Sequence, residues 1–166
     1  MSKSTKKVTL YGLLIALAFI FSYIESLIPF NFSIPGIKLG LANIVVLIAL
    51  YQMGPKAAFS MAIVRVVLAG FTFGNLSMMM YSLAGCILSC FTMIVLNKSK
   101  AFSMVGVSIA GGIMHNVGQI LMAIYITKTV ALVSYLAVLM VSGSVTGILI
   151  GVVGTEILKR LPRMES

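Results

Sequence analysis

His115, Asn116 and Gln119 occupy about one turn of helix inside an apolar run, residues 101–126, of a chain in which 60% of residues are hydrophobic and 9% are charged. A polar group in hydrocarbon is costly unless the protein satisfies it, so three together point to a buried polar site or pathway. At i and i+4, His115 and Gln119 share a helix face, while Asn116 is turned by about 100° toward a neighbouring helix. Two uses fit such groups: holding a solute, or joining helices through hydrogen bonds inside the membrane. His115, the only histidine, also pairs with Glu25 as a candidate proton carrier.

Arg65 lies within another apolar run, residues 57–73, and keeps its proton in practice, so it must face water, an acid or a ligand. Glu25 is the acid at comparable depth. Either the two form an ion pair, or Arg65 binds an anionic or carbonyl-bearing solute with Lys38 at the mouth of the site and Asn43 nearby. Met78-Met79-Met80 are consecutive helix positions that point in different directions, so they read as packing rather than as a copper site. Cys86 and Cys90 share a helix face without disulfide geometry and also read as packing.

Absences narrow the chemistry further. There is no G-x-x-x-x-G-K-[ST] phosphate loop, so ATP hydrolysis in the usual way is excluded for this chain. There is no aspartate, and the three glutamates are scattered, so the clustered carboxylates that hold Mg²⁺ against a diphosphate are missing. No metal and no cofactor is expected on the chain itself, and it is not expected to be an enzyme.

The elements that must position these residues follow from the apolar runs. A helix needs about 20 apolar residues to cross about 30 Å of hydrocarbon, and runs of that kind recur along the whole sequence, whose mean hydropathy is +1.14. Approximate spans are residues 8–28, 39–53, 57–73, 76–96, 101–126 and 130–158. The expectation is an all-α integral membrane protein of one domain, residues 1–166, with six transmembrane helices. The second and third runs are short for a crossing, and a tight hairpin in a locally thin region is one solution. Turn signals at Gly54-Pro55 separate them.

The net charge of +9 is not read as nucleic-acid binding, because most Lys and Arg sit at the ends of runs. With the N-terminus inside, nine cations face the cytoplasm (Lys3, Lys6, Lys7, Lys56, Lys98, Lys100, Lys159, Arg160, Arg163) and two face outward (Lys38, Lys128). That asymmetry places both termini in the cytoplasm. Counted from the outer boundary, Glu25 and Asn43 then lie roughly 5 to 8 Å deep, Gln119 roughly 11 Å, Arg65 roughly 13 Å and His115 roughly 17 Å. A single cavity open to the exterior under the loop of residues 29–38 would collect them. Small residues recur at spacing four, Gly143, Gly147 and Gly151 on the last span and Gly12 and Ala16 on the first. The last-span set leans toward internal packing, and the first-span pair is the more open to a partner.

The run Pro35-Gly36-Ile37-Lys38-Leu39-Gly40-Leu41-Ala42-Asn43-Ile44, then Arg65, then His115-Asn116-Val117-Gly118-Gln119 resembles the bacterial Gx transporter family, also labelled heptaprenyl diphosphate synthase component I. That family looks like the substrate-binding S components of energy-coupling factor transporters. The resemblance implies a multi-pass protein of the bacterial cytoplasmic membrane, working with a transmembrane scaffold subunit and two cytoplasmic ATPases that supply the ATP chemistry. It implies a substrate site near the outer face for a small polar or anionic solute, with Gly12 and Ala16 against the scaffold. The synthase label implies instead an accessory subunit, since catalytic prenyl diphosphate synthases carry aspartate-rich motifs. A proton-coupled carrier is a third possibility.

Overall fold

The computed structural model describes residues 3–27, 40 and 42–161; Lys38, Arg163 and the loop of residues 29–38 lie outside them. Helices follow the apolar runs. They are α1 (Lys3–Leu27), α2 (Asn43–Gln52), α3 (Pro55–Phe73), α4 (Leu76–Ser99), α5 (Met104–Thr127) and α6 (Leu136–Arg160), with a 3₁₀ segment, Val130–Tyr135, leading into α6. No strand occurs among the described residues. Five of these segments are long and apolar enough to cross a membrane, the last of them including the 3₁₀ residues, and the chain is a multi-pass membrane protein.

The second helix is shorter than the apolar run that predicts it. Gly40 and Ala42 are not helical, so α2 begins only at Asn43 and has 10 residues. At 1.5 Å per residue it reaches about 15 Å, half the hydrocarbon thickness. Val45 to Leu50 are buried in unbroken succession, so this stretch of α2 is enclosed on all sides, in keeping with its being apolar all round. It packs on α1, α3 and α6 as an internal half-helix. The connection to α3 is short because Gly54 takes a left-handed φ of 89° and Pro55 opens α3 with its φ already helical.

Short connections make neighbouring helices antiparallel, and α1 runs parallel to α3. Tyr11 of α1 donates to Ser60 Oγ of α3 at 2.6 Å, and Phe19 and Tyr23 meet the Phe73 ring at 5.4 and 5.7 Å at the other end. Lys56, Lys98, Lys100, Lys159 and Arg160 therefore gather at the bundle end where α1 begins and α6 finishes. Glu156 pairs there with Lys159 at 3.4 Å and Arg160 at 3.3 Å, both exposed and so of little weight for stability.

Helix α5 has its most extensive contacts with α4 and α6. A Cβ on Gly112 would lie 2.5 Å from the Gly143 carbonyl oxygen, and one on Gly147 would lie 2.6 Å from the Ile109 Cα. The Gly143, Gly147, Gly151 series is thus an internal contact with α5. Gly12 and Ala16 differ: both are exposed, and a Cβ on Gly12 would meet nothing within 4 Å.

Candidate functional site

A buried stripe on α1, made of Leu14, Ala18, Ser22 and Glu25, turns toward the bundle interior. Its polar end, Ser22 and Glu25, reaches a cavity also lined by Gly40 and Asn43 at the start of α2, and by Arg65, Val66, Ala69 and Gly70 of α3. Met78, Met79 and Ser82 of α4 and His115 of α5 complete it, so five helices contribute. The space open to water is about 30 Å³, enough for about two waters.

Arg65 lies at the centre of this arrangement and is 7% exposed. Its Nη2 donates to Asn43 Oδ1 at 3.2 Å, tying α3 to the start of α2, and the Cys86 thiol of α4 lies beside the guanidinium. Its Nε is buried, and no protein group among the described residues accepts a hydrogen bond from it. Such a donor costs about 1–3 kcal/mol when left unsatisfied, and buried donors are seldom left so without a reason. The α2 terminus adds to the same field. Gly40, at φ 77°, accepts from the Asn43 N–H at 2.8 Å, and Ala42 provides no side-chain cap, so the positive end of the α2 dipole abuts the cavity. A Cβ on Gly40 would stand 3.1 Å from Asn43 Nδ2, so the glycine also leaves room for that side chain.

The three residues of the α5 turn separate. His115 lines the cavity. Gln119 is not among the lining residues; it packs with His115 over Gly85 of α4, where a Cβ would fall 2.8 Å from Gln119 Cγ and 3.1 Å from His115 Nδ1. Its Nε2 is buried, with no hydrogen-bond partner among the described residues. Asn116 faces the opposite neighbour and donates through Nδ2 to the Leu139 carbonyl of α6 at 2.7 Å. It is a helix joint, as its 100° turn allows. Asn116→Ala is expected to lower unfolding free energy by about 0.6–1.7 kcal/mol, the range of interhelical hydrogen bonds in membranes. Denaturant titration in mixed micelles checks this, and solute affinity should stay unchanged.

Of the residues singled out from sequence, the cavity unites Arg65, His115, Asn43 and Glu25. Lys38 lies outside the described residues. Ser22, Ser82, Met78 and Met79 also line the cavity and were not singled out for it. Ser22 has a signal, its place on the same α1 face as Glu25; Met78 and Met79 have none, since methionine in an apolar run reads as packing.

No curated protein and no solved structure matches the chain. A family model described as heptaprenyl diphosphate synthase component I matches residues 14–157, which takes in every residue lining the cavity and all but the edges of the bundle. The chain belongs to that family, the Gx transporter family, whose sequence pattern thus extends over the half-helix and the buried arginine together.

Proposed function

We propose that the chain is the membrane-embedded solute-binding subunit of an ATP-driven uptake transporter of the energy-coupling factor type. It sits in the bacterial cytoplasmic membrane with both termini inside and accepts a small polar or anionic solute from the outer side. The observation that carries this reading is the cavity between membrane-crossing helices, where the Nε of a buried Arg65 finds no protein acceptor among the described residues, beside the end of a half-helix. In a fold built only for packing, that donor would be a standing cost; a solute acceptor removes it. The charge asymmetry supports the orientation, because it puts the cavity at the outer end.

Energy for uptake would come from partners. The chain itself holds no phosphate loop, and it binds no cofactor in this reading, ATP being used by two cytoplasmic ATPases on a transmembrane scaffold. The open face of α1 around Gly12 and Ala16 supports docking to that scaffold, because a partner helix can approach there without displacing anything.

The family description favours a second reading, a non-catalytic accessory subunit of heptaprenyl diphosphate synthase. Affinity purification from membranes separates the two. Recovery with a scaffold and two ATPases, together with ATP-dependent solute uptake in proteoliposomes, is expected; recovery with an aspartate-rich synthase whose activity rises on addition of this chain would overturn transport.

A further inference from the structure

A larger recess lies at the other end of the bundle, where α1 begins and α6 finishes. Tyr51 and Gln52 at the end of α2, Met104 at the start of α5, and Thr155, Leu158 and Lys159 in the last turns of α6 line it. The space open to water is about 410 Å³, against about 30 Å³ around Arg65, and it falls within the range of about 300–1,000 Å³ that small ligands occupy. Lys159 is the one charged group among the described residues that line it. Its pairing with Glu156 at 3.4 Å is exposed on both sides and holds it only weakly. Residues 162–166, outside the described ones, bring one cation and one acid, Arg163 and Glu165.

The recess continues into an apolar strip. At spacings of three and four, Val145, Ile148, Val152, Thr155 and Lys159 fall on one face of α6. The first three are 52%, 45% and 54% exposed, so the strip runs uncovered from hydrocarbon depth and ends on a hydroxyl and an ammonium. An apolar strip alone is ordinary on a lipid-facing helix; what is particular here is that it ends, on the same face, in a recess with a cation. A soluble ligand would use the recess alone, whereas a lipid has a head for the recess and a tail for the strip. Tyr51, 36% exposed, adds a phenol, and tyrosines favour headgroup depth. A basic pocket between membrane helices at a bilayer surface suits an anionic headgroup.

We propose that this recess holds the phosphodiester headgroup of an anionic glycerophospholipid, with its oxygens on Lys159 and Tyr51 and an acyl chain along Val152, Ile148 and Val145. The site is separate from the Arg65 cavity and stands whether or not that cavity captures a solute.

The chain contains no tryptophan, so one introduced residue reports its own surroundings. The full chain carrying Val152→Trp, on the strip, or Val138→Trp, 55% exposed near the opposite end of α6, is reconstituted in mixtures of phosphatidylcholine and phosphatidylglycerol. Quenching by the brominated form of each lipid gives the relative affinity of each position for the two. Phosphatidylglycerol should be preferred about fivefold or more at position 152 and less than about twofold at position 138. Adding Lys159→Gln should bring the ratio at position 152 near one, while Arg160→Gln, which removes a cation of the same turn that does not line the recess, should leave it within about twofold; thermal unfolding verifies each fold. Equal losses in the two, as a diffuse basic surface predicts, would overturn the proposal, as would a ratio near one at position 152 without either change. Loss of the preference on adding glycerol phosphate at constant ionic strength would assign the recess to a soluble phosphate and overturn the lipid. A preference that appears only when residues 162–166 are removed would assign it to the end of the chain itself, with the same consequence.

Discussion

Replacing Gly112 with valine is expected to part α5 from α6 and to cost the protein about 3 kcal/mol or more, the upper range for overpacking a close contact. The reason is what a side chain would meet. A Cβ there falls 2.5 Å from the carbonyl oxygen of Gly143, a backbone atom that no rotamer change can move aside. In water the loss could be offset by burying more apolar surface, but lipid tails are as apolar as the helix faces, so close packing is what holds α5 to α6. Gly12→Val is the matched control. Nothing lies within 4 Å of that position, so the isolated chain should keep its stability to within about 0.5 kcal/mol. Denaturant titration in micelles compares the two, and equal losses would mean that the small-residue contact on α6 contributes no more than a lipid-facing position. Recovery with the proposed scaffold, measured on the same pair, should fall for Gly12→Val.

Much of the bundle can be read from apolar run length, since a segment such as residues 76–96 has no other way to satisfy its backbone in lipid. The half-helix is harder to see. Residues 39–53 are apolar apart from Asn43 and Gln52, and hydropathy does not distinguish a short helix enclosed by protein from a longer one touching lipid. What decides it is Gly40 with its left-handed φ and Ala42 in a turn, which delay the helix to Asn43. The 3₁₀ start of the last span is hidden for the same reason, because Val130–Tyr135 is as apolar as the helix it precedes.

The site was legible in its charged members and less so in its neutral ones. Arg65 and Glu25 are expensive anywhere in hydrocarbon, so their presence alone predicts a shared polar space. Asn116 and Gln119 are cheaper to satisfy, and sequence spacing leaves open which neighbour each meets. Asn116 went to the Leu139 carbonyl, while His115, one residue away, reached the cavity.

Arg65→Met is expected to abolish solute binding, by about 100-fold, while leaving the fold as stable as before or more so. Both halves follow from the same burial. A guanidinium 7% exposed, with a hydrogen bond to Asn43 and no acceptor for Nε among the described residues, recovers little of the hydration it gave up. Apolar residues of similar volume in place of buried charges are often neutral or stabilising by about 1–4 kcal/mol, and the hydrogen bond lost at Asn43 offsets about 1 kcal/mol of that. If Arg65 instead existed to neutralise Glu25 as a structural pair, removing it would strand a buried charge and cost about 3–5 kcal/mol. Unfolding titrations and binding calorimetry on the one variant therefore decide between the two roles open to this arginine. A stable protein that no longer binds places Arg65 with the solute. A destabilised one, with residual affinity where it still folds, places it with the helices and removes the main support for capture.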